Sequence, residues 1–236
     1  MNILLTNDDG YDSVGINLLL NKLKKYGNVI IFAPKESMSA KSVSITLSKG
    51  QEVKKVNDTT FYMDGTPSDC VAFALSSLNI DFDLVVSGCN DGWNISYDTM
   101  YSGTIGACLQ ALTFTVPAIA ISCEHNFDLV DKYFDEVFEY IQNKRMISND
   151  YLLNVNFPLG SIIKDIKVGQ LHYRNVATYY VKEDDGYHAY RKLNDDIVSD
   201  VNSDVYQVNN GIVSIVPLNK SLFDKSLYDL LKKKEE

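Results

Sequence analysis

The sequence has few cysteines, no long apolar run and a shortage of positive charge. Its four cysteines, Cys70, Cys89, Cys108 and Cys123, form no CxxC pair and lie among apolar or small residues. We therefore expect buried free thiols and a reducing, cytoplasmic compartment. No apolar stretch approaches the roughly 18 residues of a membrane span, and the first residues lack the pattern of a signal peptide. The chain is expected to be cytoplasmic, with no membrane partner.

Acidic residues outnumber basic ones by 31 to 22, and the formal net charge at pH 7 is −9. Such a chain is not expected to bind a nucleic-acid polymer over a broad surface. A small phosphate-bearing ligand is compatible with this charge, because a bound metal ion supplies local positive charge. The 236 residues contain no internal repeat and no low-complexity linker, so we expect a single domain over 1–236.

Apolar runs alternate with helical patterns over residues 1–158. The predicted strands are Asn2–Thr6, 29–33, 61–63, 83–87 and Ala118–Cys123. The predicted helices are 15–26 with Gly27 as its stop, one that opens at Thr66 and Pro67, 101–112 and 128–143. This rhythm predicts an α/β fold with a Rossmann-like three-layer core and a mostly parallel sheet.

The pattern changes after Pro158. Segments 166–169, 176–181 and 187–192 are typical of antiparallel strands, 212–217 of a strand that returns to the main sheet, and 221–233 of a last helix. Residues 1–158 are thus the predicted core, and 159–236 a hairpin arm, a returning strand and a C-terminal helix. From the pattern alone, this elaboration is either a lid or an oligomerisation arm.

Oxygen-bearing side chains follow three of the predicted strands. Asn7, Asp8 and Asp9 follow the first strand, Ser37, Ser39 and Ser42 follow the second, and Asn90, Asp91 and Asn94 follow the strand at 83–87. The carboxyl ends of parallel strands meet at one edge, so these side chains are expected to lie together. Two adjacent carboxylates repel unless they share a proton or a cation. Oxygen ligands without Cys or His suit Mg²⁺, Mn²⁺ or Ca²⁺. Each piece alone also fits an ordinary turn, so the metal site is predicted from their convergence.

A phosphate site is predicted where Ser102, Gly103 and Thr104 open a helix. Small residues at a helix start expose backbone N–H groups that bind anions, although a plain N-cap has the same pattern. A metal site beside a phosphate cradle predicts metal-assisted phosphoryl transfer to water.

Five ordered motifs resemble the stationary-phase survival protein SurE family. They are NDDG at 7–10, AP at 33–34 followed by the serine at 39, GTPSDC at 65–70, SGCNDGWN at 87–94 and YSGT at 101–104. Segments 154–158 and 211–218 extend the resemblance nearly to the end of the chain. Members of this family are metal-dependent 5′/3′-nucleotidases that remove phosphate from nucleoside monophosphates.

The resemblance implies one divalent cation, Mg²⁺ or Mn²⁺, with four oxygen ligands: Asp8, Asp9, Ser39 and Asn90. It implies that Asn94 and the turn of Ser102, Gly103 and Thr104 contact the phosphate. The family's core carries a protruding C-terminal hairpin, and its members form dimers and some tetramers. A homodimer or homotetramer through 159–236 is therefore expected, which favours the arm over the lid.

Two short runs depart from the family pattern. Met-Ser-Ala at 38–40 stands where the family usually has Arg-Ser-Gly. Loss of that arginine removes a cation from the edge of the predicted site, and Lys35 and Lys41 are the nearby residues that could replace it. Ala40 is compatible with this position unless its φ is positive, where glycine is favoured. The family's Leu-Gly-Asp is Ile-Ser-Tyr at 95–97, and the aspartate that follows is retained.

The predicted reaction is hydrolysis of a nucleoside monophosphate by a metal-activated water. Asp8 and Asn94 are the predicted catalytic residues: Asp8 orients or deprotonates the water, and Asn94 with the amides of 102–104 stabilises the phosphoryl oxygens. An aspartyl-phosphate at Asp8 is the alternative route. His125, next to Glu124, is either a proton shuttle or a surface histidine.

Other functions are compatible with parts of this pattern. A receiver-like signalling module also binds Mg²⁺ through acids after its first strand, but the strand at 83–87 ends without an acceptor aspartate. A catalytically quiet phosphate-binding homologue and a short-chain exopolyphosphatase are the remaining alternatives.

Overall fold

Strands and helices alternate along the chain as the sequence predicts. The computed structural model describes residues 1–172, 176–193, 198–221 and 223–235. The strands are β1 (Asn2–Thr6), β2 (Asn28–Pro34), β3 (Val53–Asn57), β4 (Thr60–Met63), β5 (Leu84–Asp91), β6 (Ala118–Cys123), β7 (Tyr151–Asn156), β8 (Asp165–Val168), β9 (Val176–Glu183), β10 (Gly186–Leu193) and β11 (Ile212–Asn219). The helices are α1 (Val14–Leu23), α2 (Pro67–Ser77), α3 (Gly103–Thr113), α4 (Phe127–Asn143), α5 (Asp204–Asn209) and α6 (Lys225–Lys232), with a 3₁₀ helix at Ser96–Met100.

One sheet holds nine of these strands in the order β3-β4-β2-β1-β5-β6-β7-β11-β8. Its centre, from β4 to β7, is parallel, while β3 pairs antiparallel with β4 and β11 antiparallel with β7. After β1 the chain adds β2 on one side and β5 on the other. Open α/β sheets bind ligands at such a switch point, outside the carboxyl ends of the strands.

The side chains of β1 divide the core between the two faces of the sheet. Ile3 and Leu5 pack with apolar residues of α1 and α4, whereas Leu4 packs with those of α2 and α3. This alternation follows from the two-residue repeat of a strand. The three-layer α/β class with a mostly parallel sheet is thereby confirmed, and the four cysteines are buried free thiols as expected.

Some predicted elements differ from the structure. Helix α1 ends at Leu23, and Gly27 is not its stop: a Cβ there would lie 2.1 Å from the carbonyl oxygen of Met1, so Gly27 permits a close chain approach. The segment that forms β8 was expected to be an antiparallel strand, but β8 pairs in parallel with β11. Strand β11 itself runs antiparallel to β7. Strands β3 and β7 and helix α5 were not predicted.

The C-terminal elaboration includes a hairpin that forms its own two-stranded sheet. Strands β9 and β10 pair antiparallel, with Glu183 opposite Gly186 at the turn. Helix α6 begins at Lys225, four residues later than the predicted start at 221. Asp224 is its N-cap, and the Asp224 side chain accepts a hydrogen bond from the Leu227 N–H. The part of the chain that the structure describes contains no helix long and apolar enough to cross a membrane.

Candidate active site

A cleft of about 210 Å³ lies at the carboxyl edge of the sheet, outside β1 and β5. Its lining residues come from four segments: Asp8, Asp9, Ser39, Ala40, Asn90, Asp91, Asn94, Asp98, Tyr101 and Ser102. The structure therefore brings together all four predicted metal ligands, with Asn94 and Ser102 beside them. Gly103 and Thr104 lie behind this lining at the start of α3.

Asp8 is held from behind by the first turn of α3. Its carboxylate is buried, and Oδ1 accepts a 2.7 Å hydrogen bond from the Thr104 hydroxyl. Gly103 passes so close that a Cβ on it would stand 2.8 Å from the Cβ of Asp8 and 2.9 Å from Oδ2. Thr104 is fully buried and its hydroxyl is directed at Asp8. The helix start thus fixes the orientation of the carboxylate.

Burial and charge both disfavour ionisation in this pair of acids. Burial raises the pKa of Asp8 from 3.8 to about 6, and the neighbouring Asp9 charge adds to the rise while the Thr104 hydrogen bond opposes it. The pKa of the half-buried Asp9 is also raised, by its burial and by the charge of Asp91, against a hydrogen bond from the Asp91 backbone. A cation between Asp8 and Asp9 would remove the charge repulsion that adds to the effect of burial on the pKa of Asp8.

Asn90 belongs to a strand and not to the loop that the sequence predicts. The pairing of β5 with β6 shifts register between Ser87 and Asn90, and the strand then continues to Asp91. The Asn90 amide nitrogen donates to the Gly92 carbonyl at 2.7 Å. This bond presents the amide oxygen of Asn90 as the atom that can bind a cation.

Ser39 reaches the cleft from the loop after β2. The Met38 N–H donates to the Asp8 carbonyl at 2.7 Å, which fixes this loop beside β1. Ser39 itself is exposed, and its hydroxyl lies 3.1 Å from that of Ser37. Ala40 has a φ of +58°, so it adopts the left-handed conformation that glycine would take more readily.

Asn94 sits in a buried polar network. Its side-chain amide donates to Ser122 Oγ at 2.9 Å, its N–H donates to Asn156 Oδ1 at 2.9 Å, and its carbonyl accepts from the Asn154 amide at 2.7 Å. Sequence reasoning assigned no role to these three partners. The asparagines at alternate positions of the apolar strand β7 were the available signal, since alternate residues of a strand share one face.

Ser102 is the N-cap of α3, and its hydroxyl accepts from the Ile105 N–H at 3.2 Å. The plain-cap interpretation therefore applies to its side chain, although the residue also lines the cleft. The segment before it is joined to the loop after β2, because Ser42 donates to the carbonyls of Met100 and Tyr101 at 2.8 and 3.0 Å.

His125 is a surface histidine. Its ring Nδ1 lies 2.9 Å from Asp91 Oδ1, and the pKa of the imidazole is raised by this hydrogen bond and by the carboxylate charge. Glu124 accepts from the Trp93 N–H at 3.0 Å and so supports the loop that leads to the cleft. Neither residue is part of the lining.

The charged side chains that line the cleft are all acidic. The lining contains four carboxylates, those of Asp8, Asp9, Asp91 and Asp98, and none of the described residues that form it is Lys, Arg or His. Lys35, one of the two expected substitutes for the missing arginine, is exposed and lies 3.6 Å from Glu36; Lys41 is exposed as well. An anion would be repelled here unless a cation accompanied it.

A second acidic group lies in the hairpin. Ligand atoms of Glu183, Asp185 and His188 lie within 4.8 Å of one another, and all three residues are exposed. His188 Nε2 is 2.6 Å from Asp185 Oδ1. These residues belong to β9, β10 and their turn, outside the lining of the cleft.

Known proteins resemble this chain over its whole length. The sequence profile described as Survival protein SurE matches residues 3–178. A protein of Clostridium botulinum (strain 657 / Type Ba4) named 5′-nucleotidase SurE is 37% identical over 252 aligned residues, which cover 100% of this chain and 98% of the relative. A second, from strain Alaska E43 / Type E3, is 33% identical over 93% of each chain. The crystal structure of the SurE protein from Aquifex aeolicus matches with a TM-score of 0.85 at 30% identity, over 100% of both chains.

Proposed function

The chain belongs to the Survival protein SurE family, and from that premise we propose how its cleft works as the active site of a 5′-nucleotidase. The reaction is hydrolysis of a nucleoside 5′-monophosphate to nucleoside and phosphate. The observation that carries the proposal is the lining with four carboxylates and no basic side chain among its described residues. Such a cleft accepts a phosphate monoester only together with a cation, which makes the activity metal-dependent.

The residues present fit a divalent cation. Asp8, Asp9, Ser39 and Asn90 offer carboxylate, hydroxyl and amide oxygens, the donor set of Mg²⁺ or Mn²⁺. The raised pKa of Asp8 fits the same role, because it reports negative charge that the protein alone leaves uncompensated. When bound, the ion supplies neutralisation of phosphate charge and a more acidic water.

The chain's own residues position the reactants. Thr104 holds Oδ1 of Asp8 and so orients a carboxylate that we propose contacts the cation or takes a proton from the attacking water. We assign Thr104 to this positioning role rather than to direct phosphate contact. Asn94 is fixed by Ser122 and Asn156, and we propose that the second hydrogen of its side-chain amide is donated to a phosphoryl oxygen, together with the backbone N–H groups near Ser102.

The alternatives from the sequence lead to different outcomes. A receiver module needs an acceptor aspartate at the end of its central strand, and β5 does end in an acid, Asp91. Asp91, however, accepts a hydrogen bond from the His125 N–H at 2.9 Å. The match to the SurE family excludes a receiver module. A quiet homologue would release no phosphate from any nucleotide. A short-chain exopolyphosphatase would release phosphate from polyphosphate and not from nucleotides.

The test is phosphate release from a panel of nucleoside 5′- and 3′-monophosphates and short-chain polyphosphate, with Mg²⁺, Mn²⁺ or EDTA. We expect release from 5′-monophosphates that EDTA abolishes and metal restores. Asp9→Asn should lower the activity strongly, whereas Asp12→Asn, at an exposed carboxylate of the same segment, should not. Metal-independent release, or equal effects of the two variants, would contradict the proposed site.

We also propose a homodimer or homotetramer through the arm. The described part of the hairpin exposes Tyr180 and Tyr187, and α6 exposes Leu227, Leu230 and Leu231. Exposed large apolar side chains are typical of interfaces. Light scattering after size-exclusion chromatography measures the mass, and a monomer at micromolar concentration would contradict the proposal.

A further inference from the structure

A buried carboxylate outside the cleft connects the arm to one wall of the cleft. Asp204, the first residue of α5, is fully buried. Its Oδ2 accepts a 2.7 Å hydrogen bond from the Ser96 N–H. Its Oδ1 accepts from the His172 N–H at 3.0 Å and from the Val205 N–H at 2.8 Å. One side chain thus joins three segments that are distant in sequence.

Ser96 has a conformation that needs such support. Its φ is +55°, a left-handed value that is unfavourable for a residue with a Cβ, and it is almost fully buried. It begins the 3₁₀ helix, and its carbonyl accepts from the Thr99 hydroxyl at 2.7 Å. Strained conformations persist only where the surroundings hold them. The hydrogen bond to Asp204 is one such constraint.

The segment held in this way is a wall of the cleft, which we define as residues 94–102. Four of its residues line the cleft: Asn94, Asp98, Tyr101 and Ser102. The wall packs on α5 through Ile95, which shares a small apolar cluster with Val205 and Val208. Helix α5 therefore anchors the wall by apolar contact as well as through Asp204.

The other bonds of Asp204 lead towards the hairpin. His172 lies four residues before β9, and the Asp204 N–H donates to the Gln170 carbonyl at 2.9 Å. The carboxylate therefore bridges the wall and residues 170–172, which we call the base of the arm.

We propose that Asp204 is a positioning residue that fixes the cleft wall for substrate binding and couples it to the base of the arm. This inference rests on the proposed function for its kinetic effects. The proposed metal ligands Asp8 and Asn90 lie just after β1 and on β5, outside the wall, so loss of the Asp204–Ser96 bond loosens substrate contacts without removing the metal set.

The variant Asp204→Asn distinguishes the hydrogen bond to Ser96 from those to His172 and Val205. An amide that keeps its oxygen on the two donors at Oδ1 turns its NH₂ group towards the Ser96 N–H, so the bond to the wall is the one lost. We expect KM for a nucleoside 5′-monophosphate to rise about tenfold, since the free energy of a hydrogen bond to a buried charge corresponds to a change of about this factor in an equilibrium constant. We expect kcat to change less than about threefold and the Mn²⁺ affinity to be unchanged.

The matched control is Ser203→Ala, which removes the N-cap of α5, a hydroxyl that accepts from the Tyr206 N–H at 3.1 Å, without touching Ser96. It should lower Tm, because an N-cap is lost, but leave KM as in the wild type. Equal KM shifts in the two variants would reduce Asp204 to a structural residue. A wild-type KM in Asp204→Asn would overturn the inference outright.

Hydrogen exchange provides a readout that needs no activity. Amides of the wall should exchange faster in Asp204→Asn, and those of β1 and β5 at the wild-type rate. If the wild type released no phosphate from any nucleotide, the proposed function would fail, while faster exchange confined to the wall would still support the positioning role. Unchanged exchange would overturn it. If Asp204→Asn does not fold, Asp204→Glu, which keeps the charge at the wrong distance, carries the same expectations.

Discussion

Replacing Asp8 by asparagine should stabilise the metal-free protein while it destroys the activity. The folded protein raises the pKa of Asp8 from 3.8 to about 6. Each pKa unit corresponds to about 1.4 kcal/mol, so holding this carboxylate ionised in the fold is unfavourable by ~3 kcal/mol. Asparagine has nearly the same shape, and its Oδ1 can still accept from Thr104, but it carries no charge.

The sign of the pH dependence follows from the direction of this shift. Below about pH 4, Asp8 is protonated in both the folded and the unfolded chain, and wild type and Asp8→Asn should have similar free energies of unfolding. Between pH 4 and 6 the unfolded chain releases the proton first, so the wild type loses stability as the pH rises. Above about pH 6 the full difference of ~3 kcal/mol applies. The backbone of Gly103 hydrogen-bonds the Asp8 carboxylate, so the new NH₂ group makes an unfavourable contact there that lowers this gain to about 1–2 kcal/mol.

The assay is urea unfolding in EDTA at pH 4.5 and pH 8, with Asp12→Asn as the exposed-carboxylate control. We expect Asp8→Asn to be more stable than the wild type at pH 8, and by less at pH 4.5. Mn²⁺ should then raise the stability of the wild type but not of the variant, because only a protein that binds the ion gains from it. Phosphate release by Asp8→Asn should fall by orders of magnitude. A variant that is less stable than the wild type at pH 8, or one that keeps near-normal activity, would refute the assignment of Asp8.

Two further predictions concern backbone positions beside the cleft. Gly103→Ala places a Cβ 2.8 Å from the Cβ of Asp8, so Asp8 must shift. We expect titration calorimetry to show a loss of metal affinity of about 10- to 100-fold. The control Gly50→Ala, whose new Cβ meets nothing within 4 Å, should show no loss. Ala40→Gly relieves a φ of +58° and should raise the free energy of unfolding by about 0.5–1 kcal/mol, whereas Ala72→Gly in the middle of α2 should lower it by about 1 kcal/mol. Destabilisation by Ala40→Gly would show that this loop is not strained.

The convergence of the proposed metal ligands was predictable because it depends on topology. Parallel strands joined by right-handed crossovers must present Asp8 and Ser39 at one edge, whatever the loops do in detail. The position of Asn90 was harder to predict, since β5 continues past Gly88 after a register shift that no residue pattern indicated. The predicted set nevertheless lines one cleft, because the shift keeps Asn90 at the same edge.

The role of Thr104 was not predictable from local sequence. A hydroxyl in the first turn of a helix fits an N-cap or an anion site equally well, and the helix start says nothing about a partner 96 residues earlier. The structure shows Ser102 as the cap and Thr104 as the donor to Asp8. Side-chain direction in three dimensions decides between these roles, and spacing does not.

Two residues show how this chain differs from the family pattern where it matters for the site. Ala40 and Ser96 both stand where that pattern has glycine, and both keep a positive φ. The backbone at these positions therefore has the glycine-like conformation without the freedom of glycine, which reduces the alternative conformations open to each segment. The strain must be balanced by contacts, and for Ser96 the structure provides one in the buried carboxylate of Asp204. Ala40 lies beside Ser39 in an exposed loop, which is held by hydrogen bonds at Met38 and Ser42 and not by a buried carboxylate. We therefore expect the loop of Ser39, and not the wall held by Asp204, to be the more mobile side of the cleft in the absence of metal.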